Sequence, residues 1–191
     1  MILPIYAYGQ PVLKKRASAV ELSDPGLSEL LEDMWETMYN ASGVGLAAPQ
    51  IGKSLRIFLV DTVQLRDEEQ EDPITETGIK EAFLNPEILS EEGELWAYEE
   101  GCLSIPHIRG EVERPADIRI QYYNAEFEMQ EATFSGVTAR VIQHEYDHIE
   151  GKLFVDQLKP LKRRLINRKL DKIKKGQVQT DYNMRYVDTR R

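Results

Sequence analysis

The stretch that organises the chain is Ser135-Gly136-Val137-Thr138-Ala139-Arg140-Val141-Ile142-Gln143-His144-Glu145-Tyr146-Asp147-His148-Ile149. Ser135 is placed to cap a helix through Ile149, and Gly151 is placed to stop it. Residues four apart on a helix share a face, so His144 and His148 reach one metal ion while Glu145 stands beside it as proton carrier. Val137 and Val141 fall on the same face and give it an apolar floor. Two of the three histidines in the chain are in this motif. Without a ligand they would be two ordinary histidines on a helix surface.

Upstream, Ile118, Ile120 and Tyr122 alternate with polar neighbours, and beyond Asn124-Ala125 a second extended stretch runs to Phe134, which predicts a hairpin. Residues 83 to 99 read as short strands broken at Asn85-Pro86 and Gly93, and Leu55 to Val60 as a branched, apolar strand. Asp24-Pro25 opens a helix to about Asn40, with Leu27, Leu30, Leu31, Met34, Trp35 and Met38 as its buried stripe. Gly43 to Gln50 reads as a loop of small residues. Downstream, Leu161 to Lys174 predicts a helix burying Leu161, Leu165, Ile166, Leu170 and Ile173. The expected fold class is α+β: short, mostly antiparallel strands around a central helix, with an N-terminal and a C-terminal helix, in a single domain over residues 1–191.

Composition narrows the function. The 191 residues are 41% hydrophobic and 30% charged, as in water-soluble globular proteins, and no run approaches the roughly 18 apolar residues of a membrane span. The N-terminus lacks the basic and apolar regions of a secretory signal, and the lone Cys102 suits a reducing compartment, so the expected location is the cytoplasm. A net charge of -9 argues against DNA binding. Charge is uneven, however: Lys159 to Lys175 holds nine Lys or Arg, and Arg66 to Glu81 holds seven acids in what reads as an exposed loop.

A catalytic site of this kind needs a third protein ligand. A metzincin would place a histidine where Phe154 stands, and a thermolysin-like enzyme a glutamate downstream, where none occurs after Glu150. Cys102 remains, in Glu100-Gly101-Cys102-Leu103-Ser104. A lone cysteine is most often a small buried hydrophobe, but beside a His-Glu-x-x-His helix its thiolate is a strong candidate ligand. Such a site suits zinc, cobalt or nickel by residue type alone.

Three motifs in order, Gly43-Val44-Gly45-Leu46-Ala47-Ala48-Pro49-Gln50, Glu100-Gly101-Cys102-Leu103-Ser104 and Gln143-His144-Glu145-Tyr146-Asp147-His148, resemble the three signatures of the peptide deformylase family, with no departure at a motif position. The resemblance, to the bacterial type with a C-terminal helix, covers nearly the whole chain. It implies removal of the formyl group from the initiator methionine of nascent polypeptides, by a divalent ion on Cys102, His144 and His148. Ferrous iron is the implied ion, with Zn2+, Ni2+ or Co2+ able to substitute. Glu145 would be general base and then acid, and the Gln50 amide and Leu103 N–H would stabilise the oxyanion. Gly43, Gly45 and Glu100 would contact substrate, Gly45 by pairing its backbone with the peptide. Val44, Tyr98, Val137 and Val141 would shape the methionine pocket, Arg109 would approach the substrate, and Arg114 would pair with a nearby acid. His107 receives no role.

The basic face of Lys162, Arg163, Arg164, Arg168, Lys169 and Lys172 suits ribosomal RNA, against the plainer reading of a solvated helix face. Two rivals remain on the same residues: a generic zinc endopeptidase, which needs neither the Cys102 motif nor the Gly43–Gln50 segment, and a non-catalytic metal-binding domain, which needs neither Glu145 nor Gln50.

Overall fold

A computed structural model describes residues 1–65 and 78–187. Most of the acidic segment, residues 66–77, lies outside them. Five strands form one antiparallel sheet in the order β2 (Gly45–Ala47), β3 (Ile57–Asp61), β4 (Lys80–Cys102), β5 (Ile105–Tyr123) and β6 (Met129–Ser135). Two short strands, β1 (Ile5–Tyr6) and β7 (Met184–Arg185), pair in parallel beside it. The helices are α1 (Leu27–Asn40), α2 (Gly136–Ile149) and α3 (Pro160–Lys174). The architecture is α+β, as expected.

The strands alternate buried and exposed residues because one face of the sheet lies on α2, which packs against β2, β3, β5 and β6. Phe58, Phe83, Ile118, Ile120 and Tyr122 meet Ala139, Ile142 and Ile149 in that layer, with the Phe83 ring 4.8 Å from Phe58 and 4.2 Å from Tyr122. α2 carries the His-Glu-x-x-His motif and is therefore sandwiched rather than displayed. Gly151 ends the turn after it in the left-handed region at φ +73°, and an added Cβ would sit 2.7 Å from the Lys14 carbonyl oxygen. Ser135 flanks α2 in extended backbone but makes no side-chain capping bond.

Several local expectations change. Residues 83 to 99 do not break into pieces: β4 runs unbroken to Cys102, and Asn85 (φ +46°) and Gly93 (φ +83°) fall where its register against β5 shifts. A bulge absorbs an irregular residue without ending pairing. Asn85 also works across the chain, its side chain exchanging two hydrogen bonds with the Val20 backbone. Gly43–Gln50 is not plain loop, because Gly45–Ala47 adds to the sheet edge and Ala48–Ile51 closes into a 3-10 turn. α1 starts at Leu27, since Asp24 accepts the Gly26 N–H and makes a turn before the helix instead of capping it. Leu161 and Leu165 are not buried: each is 70% exposed, and α3 is anchored by Ile166, Leu170 and Ile173.

Candidate metal centre and active site

The β4–β5 hairpin is nearly the length of the sheet and turns at Leu103-Ser104, which puts Cys102 opposite Ile105 at its tip. α2 brings the imidazoles to the same point. The ligand atoms of Cys102, His144 and His148 all lie within 4.8 Å of one another, with Cys102 Sγ 3.3 Å from His148 Nε2. A thiolate and two imidazoles converging so closely fit a divalent transition metal. Burial, with the charges of His144 and Arg114, holds the His148 pKa well below its ordinary value, so the ring stays neutral as a ligand must.

Behind His144 stands Glu100, 4% exposed. Its Oε1 accepts from His144 Nδ1 at 2.8 Å, which fixes the ring and leaves Nε2 to the cluster. Arg114 grips both carboxylate oxygens, at 2.7 and 3.0 Å, and donates to Asp147 at 2.8 Å. Arg140, 1% exposed, adds a fourth bond to Glu100 at 3.0 Å. Burial alone would raise the Glu100 pKa, but the His144 and Arg114 hydrogen bonds outweigh it and hold the group down at about 2. Glu100 was expected to contact substrate. It lines the cleft, and its carboxylate oxygens are taken up by His144, Arg114 and Arg140, because the extended strand that carries Cys102 toward the cluster sets residue 100 against the far side of the His144 ring. Arg114 pairs with acids, as expected.

Glu145 is also buried, and its Oε2 has no hydrogen-bond partner among the described residues. Burial raises its pKa to about 7, the Glu100 charge adding to the rise and the His144 charge opposing it. Gly45 leaves it room: a Cβ there would lie 2.8 Å from both Cγ and Cδ of Glu145 and closer still to Oε1. Gln50 is 1% exposed, with Oε1 accepting the Ala47 N–H at 2.9 Å. That bond aims Nε2 at Ser104 Oγ (3.3 Å) and Cys102 Sγ (3.5 Å).

These groups open on a cleft of about 560 Å3, lined by Gly43, Val44, Gly45, Gln50, Tyr98, Glu100, Cys102, Leu103, Arg109, Val141, His144 and Glu145 among others. Val137 is outside this lining, half-buried against the same core cluster as Val44. Arg109 sits on the rim at 60% side-chain exposure, tied to Glu99. His107 lines the cleft through a left-handed backbone (φ +62°) and bonds the Gln179 carbonyl at 2.7 Å. β2 is the edge strand beside the opening. Val44 accepts the Asp61 N–H, so antiparallel alternation directs the N–H and carbonyl of Gly45 away from β3, toward the free edge.

The motifs do not reveal Arg140, Thr180, Asp181 and Tyr182, which line the cleft, and they give no role to Ser104, which braces it. Arg140 left one trace, an arginine four residues before His144 on a face otherwise read as apolar.

Known proteins agree with this geometry. Residues 2–164 match the family model described as polypeptide deformylase. The peptide deformylase of Christiangramia forsetii is 50% identical, covering 100% of this chain and 99% of that protein. Among crystal structures, the peptide deformylase from Legionella pneumophila superposes with a TM-score of 0.79 at 42% identity, covering 93% of this chain and 98% of that one. The peptide deformylase from Ehrlichia chaffeensis gives a TM-score of 0.83 at 30% identity over 93% of this chain and 99% of that one. Sequence, fold and the converging sulfur and imidazoles lead to one conclusion: the chain belongs to the polypeptide deformylase family.

Proposed function

We propose that the chain, acting as one catalytic unit, removes the N-formyl group from the first methionine of nascent polypeptides and releases formate. The observation that carries this reading is the approach of the Cys102, His144 and His148 ligand atoms to within 4.8 Å, beside a Glu145 carboxylate oxygen left without a partner. Those three residues would hold a single divalent ion, ferrous iron in the cell, with zinc, nickel or cobalt able to replace it. When bound, such an ion acidifies water and polarises a carbonyl oxygen.

The chain's own residues do the rest. Glu145 Oε2, with a pKa near 7, accepts a proton from the attacking water and returns it to the departing amine nitrogen. Gln50 Nε2 is placed by the Oε1 contact of the same side chain, and it donates to the growing oxyanion in exchange for one of its long contacts with Ser104 and Cys102. Leu103, second in its turn, keeps its N–H out of the turn's own hydrogen bond and supplies the other donor. The Gly45 edge pairs with the peptide backbone, reading main chain rather than side chains. Val44, Tyr98 and Val141 border the methionine side chain, with Val137 supporting Val44 through their shared cluster. Arg109 and Gly43 border the peptide path.

α3 presents Lys162, Arg164, Arg168, Lys169 and Lys172 to solvent beside the exposed Leu161 and Leu165, whereas Arg163 is tied to Val155 and Asp156. A basic face with apolar residues suits a contact with the ribosome, where the substrate emerges. No described helix is long and apolar enough to cross a membrane. The location that fits is the cytoplasm.

The test is anaerobic purification, metal analysis, and formate release from a formyl-methionyl tripeptide beside its acetylated analogue. Formyl should be strongly preferred, because a narrow site excludes the added methyl. An internal cut would point to an endopeptidase, and metal binding without turnover to a non-catalytic module. Ribosome cosedimentation should fall when Lys162, Arg164, Arg168 and Lys169 are changed to Glu; equal recovery rejects the contact.

A further inference from the structure

One wall of the cleft comes from none of the three motifs. After α3 the chain turns at Gly176 (φ +67°), returns along the opening with Thr180, Asp181 and Tyr182 in its lining, and then forms β7. The family model matches residues 2–164, so this tail lies beyond the matched residues.

The tail is fastened at several points. Ile5 N–H donates to Asn183, Ala7 N–H to Arg185, and Gln10 Nε2 to Tyr186, all at backbone carbonyls 2.7–2.9 Å away. Thr180 Oγ1 closes a local turn on the Tyr182 carbonyl at 2.7 Å. Tyr182 then reaches into the site itself: its hydroxyl donates to the Leu103 carbonyl oxygen at 2.7 Å. The half-buried ring packs against the core cluster that includes Met34, Met38 and Leu46.

Leu103 belongs to the turn between Cys102 and Ile105. The following residue is held too, since the Ser104 carbonyl accepts the Tyr8 N–H at 2.8 Å and its hydroxyl meets Gln50 Nε2 at 3.3 Å. Inward, the turn is braced by the sheet and Gln50; outward, the Leu103 peptide is braced by Tyr182 alone among the described side chains. Fixing the carbonyl side of Leu103 restricts its ψ and so the aim of its N–H. A donor misplaced by a fraction of an ångström loses much of its value.

We propose that the C-terminal tail is a built wall of the substrate cleft and that Tyr182 is a positioning residue, its hydroxyl holding the Leu103 turn in the orientation that stabilises the oxyanion. The proposal rests on the deformylase reading given above. Burial raises the Tyr182 pKa, with the Cys102 charge adding to it, so the phenol remains a donor through the neutral range.

Tyr182→Phe keeps the ring and its packing and removes only the donor. The expected result is a fall in kcat of about tenfold with KM changed less than about twofold. Amide exchange at Leu103 and Ser104 should quicken while α2 amides keep their rates. Tyr186→Phe is the control, because that hydroxyl serves only the Val178 carbonyl at 3.4 Å within the tail. It should leave kcat and the Leu103 exchange rate unchanged. Unaltered kcat and exchange in Tyr182→Phe would overturn the proposal, as would equal losses in both variants, which would mark general tail packing. A wild-type protein that releases no formate would sink the deformylase reading instead, and the exchange rates would still show whether Tyr182 holds the turn.

Discussion

Gly45→Ala is the sharpest test of how the site is assembled. The new Cβ would lie 2.8 Å from Cγ and Cδ of Glu145. Carbon atoms in contact sit at about 3.5 Å, so the glutamate must retreat by roughly 0.7 Å. The side chain is buried and borders the cleft, so a retreat changes its aim into the site. Misplacing a reacting group by about 1 Å costs up to about 100-fold in rate, so kcat/KM should fall by roughly 30- to 100-fold, or about 2–3 kcal/mol of transition-state stabilisation. The loss should appear in kcat, since alanine keeps the backbone N–H and carbonyl that face the free edge. Overpacking should also lower stability by about 1–3 kcal/mol, or about 2–12 °C in Tm for a chain of this size. Gly43→Ala is the internal control: its Cβ meets mainly the flexible end of Leu103 at 2.8 Å, which can swing away, so its effect should be several-fold smaller. Formate release, metal content and thermal unfolding would be measured on all three proteins. If Gly45→Ala keeps kcat/KM within about twofold of wild type, the glycine does not set the Glu145 position and this account of the site is wrong.

Glu100→Gln should lower Tm by about 6–20 °C, since Arg114 keeps only Asp147 and leaving the buried Arg140 without its anion costs about 3–5 kcal/mol. It should also weaken metal retention against a competing chelator by about 10- to 100-fold, because His144 loses its charged brace, and unchanged retention would remove Glu100 from the metal site. Gln50→Ala should reduce kcat by about 100- to 1,000-fold with metal content intact, read by formate release and elemental analysis together. Stripping the ion with a chelator should lower Tm by roughly 8–16 °C if the free ion had stood near 1,000 times its Kd, a loss of about 4 kcal/mol, and adding a divalent transition metal should restore it. A Tm indifferent to chelator would mean that Cys102, His144 and His148 are not filled in the folded protein.

The parts of this molecule that were legible in its sequence are those whose chemistry is local. The helical repeat alone puts His144, Glu145 and His148 within reach of one another, and the need for a third ligand leads to the lone cysteine. What stayed hidden depends on partners far along the chain. Asn85 and Gly93 are turn formers by local propensity, yet β5 supplies a continuous ladder that turns both interruptions into register shifts within one strand. The periodicity of α3 puts Leu161 and Leu165 on its apolar side, but packing reaches only Ile166, Leu170 and Ile173, and the first turns project into solvent. Glu100 reads as a substrate contact because it adjoins the Cys102 motif, whereas the strand geometry sets its carboxylate between His144 and two buried guanidinium groups. Tyr182 follows from no motif: its link to Leu103 spans 79 residues and exists only because the tail doubles back past β1. Residues proposed to perform the chemistry were therefore readable from spacing, while those packed behind them became visible only when distant segments were brought together. In the second group, the number of contacts sets what a substitution reads: Tyr182, with its single bond to the Leu103 carbonyl, should move kcat alone, whereas Glu100, bonded to His144, Arg114 and Arg140, should move stability and metal retention together.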